Sequence, residues 1–165
     1  MAEKSKRITA GEVVAAVLQR QADDKAVREW AFDPKPYVAM ASKLPAEAQA
    51  ELVVSLFGAA RSEVCKAERV DGGRRHSHEA TVHWFASNRC TTVAGRLLRR
   101  KLPWNATLLE SALRLVAESP SGRSLQQPHV PALVAVLEKH WAEVEDHQGV
   151  LDSLQAAHDR IEEIA

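Results

Sequence analysis

Cysteine is scarce in this chain: Cys65 and Cys90 are its two examples among 165 residues, and they share neither redox nor metal-ligand spacing. A disulfide framework and a zinc ribbon are therefore excluded, and a reducing, cytoplasmic setting is expected. Long hydrophobic runs are missing as well. None approaches ~18 residues, so no membrane span is expected. The opening MAEKSKRITAGEVVAAVLQRQ has only a short, interrupted apolar stretch and no small-residue cleavage site, so no signal peptide is expected. One Tyr and three Phe leave little for base stacking, and no aromatic interleaving marks a single-strand surface. Walker and dinucleotide fingerprints are absent, which removes the support for a nucleotide pocket.

What is present is helical. With 45% hydrophobic residues, the length suits one globular domain able to bury roughly 70% of its unfolded surface. Apolar residues recur at helical rather than alternating spacing, and glycine and proline fall mostly between the periodic segments. The expectation is a single all-α domain over residues 1–165, an irregular helical bundle or short α-solenoid of seven to eight helices. Residues 1–44 would form short N-terminal helices, 45–141 central helical layers, and 142–165 a C-terminal amphipathic helix. The abundance of Ala, Val and Arg beside few Ile and Asn suggests a bacterial coding sequence rich in G and C.

Particular residues place the helices. Thr9 with Glu12 three residues on is a capping box, opening a helix with Val13, Val14, Val17 and Leu18 on one face. Val27, Trp30 and Ala31 suggest a short helix stopped by Pro34 and Pro36, after which Tyr37, Met40 and Leu44 resume helical spacing. From Pro45 to about Arg69, Leu52, Leu56, Ala60 and Ala67 belong to a core-facing stripe that Asp71-Gly72-Gly73 ends. The next helix, about 77–101, sets Val82, Ala86, Val93 and Leu97 on one side, with Trp84 and Leu98 well away, so it should touch neighbours on two sides and lie near the centre. Pro103 is expected at or just before the first turn of a helix carrying Leu108, Leu109, Ala112, Leu113 and Val116. The stretch SPSGRSLQQP reads as a loop, and helices resume from about Val130.

Lys43-Leu44-Pro45 and Lys101-Leu102-Pro103 echo each other 58 residues apart, each opening a leucine-patterned helix. With the two-sided helix between them, this stretch of about 42–141 resembles the irregular α-helical repeat regions of the HEAT type found in large bacterial proteins. The resemblance implies a scaffold for protein contacts and carries over no functional residue.

Three surfaces hold the candidate chemistry. In GGRRHSHEATVHW (72–84), a metal reading uses His76, His78 and His83 with Glu79, but on a helix His78 and His83 stand about 140° apart and cannot converge. An anion reading uses the amides of Gly72-Gly73, the charges of Arg74 and Arg75, and Ser77 as cap at a helix start. The bland alternative is an interhelical loop with Ser77 capping. Downstream, Arg89, Arg96 and Arg100 fall within about 40° on one helix and form a basic ridge, with Arg99 and Lys101 nearby. Although the formal charge is zero, residues 1–101 hold 18 Lys+Arg and 12 Asp+Glu, against 4 and 10 in residues 102–165. Such asymmetry steers partners or joins copies head to tail, unless the two surfaces neutralise each other within one fold.

Third, Val130, Leu133, Leu137, His140, Val144, His147, Leu151, Leu154, His158 and Ile161 alternate by three and four. A continuous helix would make His140, Val144, His147, Leu151, Leu154, His158 and Ile161 a pairing seam loosened by protonation below about pH 6.5. Two shorter helices broken at Gly149 are the alternative. No cofactor or metal is expected. Cysteines lie within helical stretches, serines at caps and loops, and no paired carboxylates stand out, so catalysis is not expected. The function class favoured is a protein-interaction or assembly module, meeting a protein partner or itself. An anion or nucleic-acid binder using the 74–100 basic surface is the alternative, and a metal-dependent or other enzyme the third.

Overall fold

The computed structural model describes residues 7–19, 32–71, 77–120, 122–125 and 127–163. The short helix expected around Val27, Trp30 and Ala31 lies outside them, as do Gly72, Gly73, Arg74, Arg75 and His76. The described residues form helices and no strand. Helix α1 (Ala10–Leu18) starts on the capping box: the Glu12 amide donates to Thr9 Oγ1 at 3.2 Å while the Glu12 carboxylate accepts from the Thr9 amide. Two of the four amides orphaned at a helix start are thus paired. Its Val13 and Val17 are fully buried. Helix α2 (Lys35–Ala41) has Pro34 at its N-cap and Pro36 in its first turn, where a missing N–H costs nothing, so these prolines also begin a helix.

Helices α3 (Ala46–Asp71) and α4 (His78–Leu98) are the long ones. The α3 stripe of Leu52, Val53, Leu56, Phe57, Ala60, Val64 and Ala67 is buried along its length. Helix α4 packs against α3 most extensively, and also against α7 (His129–Lys139), α1 and α2. It is the central, many-sided helix that its sequence indicates. One position departs: Val82, assigned to its core side, is 50% exposed, whereas Leu98 is buried. Contacts with α1 and α7 lie further along, at Arg89 and Gly95, so the first turns of α4 lack that cover.

Helix α5 (Ala106–Ala117) starts later than Pro103 suggests because Asn105 is its N-cap, the side-chain oxygen accepting from the Leu108 amide at 2.9 Å. A polar cap overrides the proline as start signal. The expected loop of 119–128 contains one helical turn, α6 (Gly122–Leu125). After α7 come the single turn α8 (Trp141–Val144) and α9 (Gln148–Glu162).

The proposed C-terminal seam is therefore not one rod, and the break is not at Gly149. His140 ends α7 as its C-cap, and His147 begins α9 as its N-cap, its Nδ1 accepting from the Val150 amide at 3.2 Å. Gly149 sits in the first turn of α9, against α5: a Cβ there would stand 2.5 Å from a Glu110 carboxylate oxygen. It permits close approach instead of breaking the helix. Helix α9 packs on α5, burying Val150 and Ala157 with Leu154 partly buried. The packing order is thus α2, α4, α3, α5, α9, with one apolar cluster running from Val13 of α1 to Ala157 of α9.

Candidate functional site: a basic groove at the end of α4

Position along α4 decides what each arginine of the expected ridge does. Arg89 is 6% exposed. Its Nε and Nη2 donate to the carbonyls of Val17 and Leu18 at 3.0 and 3.2 Å. Those are carbonyls that the last turn of α1 cannot satisfy itself, so Arg89 is a cap for a neighbouring helix. It leaves the ridge. Arg96 lies exposed in the last turn of α4, Arg99 is the C-cap, and Arg100 lies just beyond. The negative end of the helix dipole favours cations there.

These three meet α2. Arg96, Arg99 and Arg100 line one side of an open groove of ≈ 570 Å³, with Lys35, Val38 and Ser42 on the other. Arg100 Nη1 donates to Ser42 Oγ at 2.6 Å, and that hydroxyl donates to the Val38 carbonyl at 2.8 Å, so one guanidinium is held in place by the end of α2. Among the described residues, Lys35, Arg96 and Arg99 form no ion pair. Asp33 is the nearby carboxylate in sequence, and its Oδ1 accepts from the Lys35 backbone amide at 3.0 Å. Like charges gathered without counter-charges repel one another, which an arriving anion relieves. Lys35 and Ser42 were not legible as site residues, because only the fold brings them beside α4.

Elsewhere the expected sites dissolve into structure. Ser77 caps α4, its Oγ accepting from the Ala80 amide at 3.1 Å; the partners proposed for it, Arg74 and Arg75, lie outside the described residues. His83 meets a carboxylate of another helix, its Nδ1 lying 2.6 Å from Glu63 Oε2 of α3, while His76 lies outside the described residues. Burial raises the Glu63 pKa, but hydrogen bonds from His83 and Lys66 outweigh it, leaving the carboxyl below its ordinary 4.5. The signal for this pair was present, since Glu63 follows Leu56 by seven residues and so falls on the apolar face of α3. Of the seam residues, Val144 is buried, Leu151 and Leu154 are half-buried, and His158 and Ile161 are exposed. His140 meets Glu143 at 3.1 Å, and His158 meets Glu162 at 3.5 Å.

A second concavity, ≈ 30 Å³, lies where α3, α4, α5 and α7 converge, beside Ser87, Thr91, Ser119 and His129. His129 is 6% exposed and packs edge-on to Phe57, ring centroids 5.0 Å apart. Burial pulls its pKa down to about 4. Its Nδ1 has no hydrogen-bond partner among the described residues. The space exceeds the ~10–15 Å³ needed to hold one water molecule and is too small for an organic substrate. Cys90 is fully buried, its thiol pushed up to about 12 by desolvation, so it stays protonated and unreactive near neutral pH.

Among the described residues no helix is long and apolar enough to cross a membrane, and no three His, Cys, Asp or Glu side chains gather as a metal group. No protein-family model, curated protein or solved structure matches the chain.

Proposed function

We propose that this domain is a protein-interaction module, without catalytic activity of its own, that holds a carboxylate-rich segment of a partner protein in the groove between α2 and the end of α4. The observation that carries the reading is the groove's charge: Lys35, Arg96 and Arg99 surround it without ion pairs among the described residues. Guanidinium forks suit planar carboxylates, with two parallel N–H···O bonds available per arginine. The groove's volume of ≈ 570 Å³ accommodates several side chains. Val38 on its wall gives the partner an apolar contact beside the charges.

Phosphate would satisfy the same donors, so nucleic acid is the competing ligand. Two features favour a protein segment. The formal net charge is zero, so a long polyanion gains no overall attraction. Among the described residues the groove wall also offers no aromatic side chain for bases to stack on.

Titration of a labelled oligoglutamate peptide, followed by fluorescence anisotropy, tests this. Binding should weaken as salt rises, and Arg96→Ala with Arg99→Ala should weaken it about tenfold, the sum of two exposed ion pairs. An oligonucleotide that binds more tightly than the peptide and loses affinity in the same variant would replace the protein reading with a nucleic-acid one.

A further inference from the structure

We propose that the acidic segment which fits the groove is the α9 face of a second copy of this chain, so that copies join head to tail. This rests on the reading of the groove as a carboxylate site and supplies its partner. At ~100° per residue, Asp152, Asp159 and Glu163 of α9 fall within about 40° of one another, an acidic ridge about 16 Å long. Glu162 stands beside it, and Glu145 and Asp146 precede α9; all six are exposed. Asp152 and Asp159 accept hydrogen bonds from Gln148 and Gln155, at 2.7 and 2.8 Å. Those donors orient the carboxylates without neutralising them. Arg160 is the opposing cation: it reaches Glu163 at 3.2 Å while its Nε donates to the Ser119 carbonyl at 3.1 Å. His158 lies 3.9 Å from Asp159 and 3.5 Å from Glu162, and adds charge only when protonated.

The same fold keeps ridge and groove apart. Helix α9 packs on α5, whereas the groove is built by α2 and the end of α4, with α3 between. The two halves of the chain, with six excess cations in residues 1–101 and six excess carboxylates in residues 102–165, touch within the molecule at Arg61 and Glu118, 3.6 Å apart, but the groove's cations and the ridge's carboxylates lie on separate helices that do not pack on each other. Each face stays available after the other is used, so the contact is heterologous and propagates into chains.

Sedimentation equilibrium near neutral pH tests the proposal, from about 0.01 to about 1 M salt, over which the Debye length falls from about 30 Å to about 3 Å. Wild type should exceed its monomer mass of 18.2 kDa increasingly with concentration at low salt, and return to it at high salt. Two charge-swapped variants sharpen the outcome: Arg96→Glu with Arg99→Glu, and Asp159→Lys with Glu163→Lys. Each alters exposed side chains only, and circular dichroism checks that helicity is kept. Each variant alone should stay monomeric, and an equimolar mixture should associate again, because the intact ridge of one meets the intact groove of the other and the two swapped faces are also of opposite charge. Association that persists in each variant alone would overturn the proposal. So would a wild-type monomer at low salt that still binds oligoglutamate, which leaves the groove reading standing. A monomer that also ignores the peptide removes both.

Discussion

Arg89 and Arg96 are the same residue on the same side of α4, seven positions apart, yet one is 6% exposed and the other faces the groove. The difference is what stands opposite. Helix α1 ends against Arg89 and presents two carbonyls to it, whereas Arg96 looks past α2 to solvent. Helical spacing fixes which residues share a face, and the neighbour's chain end decides whether a charge there becomes a fastener or a hook. The interior and the groove should therefore respond oppositely to substitution.

The largest effect is expected at Arg89. Arg89→Ala removes two charge-assisted hydrogen bonds and leaves two helix-end carbonyls buried, so unfolding in urea should show a loss of about 3 kcal/mol. A loss no greater than that of an exposed arginine would break the comparison.

Next in size is His129, whose buried ring stays neutral in the folded protein down to about pH 4, against an ordinary 6.5. The unfolded chain binds that proton first, so stability should be full above pH 6.5 and fall through the window down to about 4, by about 3 kcal/mol in all. His129→Gln should flatten this window. Glu63 acts at lower pH: its depressed pKa gives stability present above about 4.5 and lost as pH falls through its folded value. Glu63→Gln should remove that final decline and leave the His129 window intact.

A smaller effect belongs to the caps. Asn105→Ala should cost about 1 kcal/mol in urea unfolding, since it frees the Leu108 amide at the start of α5. Smallest is Arg96→Ala, expected within about 0.5 kcal/mol of wild type in stability while weakening the oligoglutamate peptide. A stability loss comparable to that of Arg89→Ala would show that the groove is structural.

The all-α class was legible because Leu52, Leu56, Ala60 and Ala67 on α3, and Leu109, Ala112, Leu113 and Val116 on α5, repeat at helical spacing and are all buried. Local caps were partly legible: Thr9 with Glu12 and Ser77 announced their helices, whereas Asn105 was overshadowed by Pro103. The alternation from Val130 to Ile161 misleads because spacing alone does not register that His140 and His147 occupy helix ends. The groove was half legible. Arg96 and Arg100 stood out as a ridge, but the removal of Arg89 and the arrival of Lys35 and Ser42 depend on where α1 and α2 pack, information spread over more than fifty residues of sequence.

The most direct measurement is nuclear magnetic resonance of the arginine side-chain Nε–H groups while oligoglutamate peptide is added. The Arg96 and Arg99 signals should move and saturate together, while Arg89, held by the carbonyls of Val17 and Leu18, should stay still. Uniform movement of all arginines, or none at Arg96 and Arg99, would contradict the groove as the working surface.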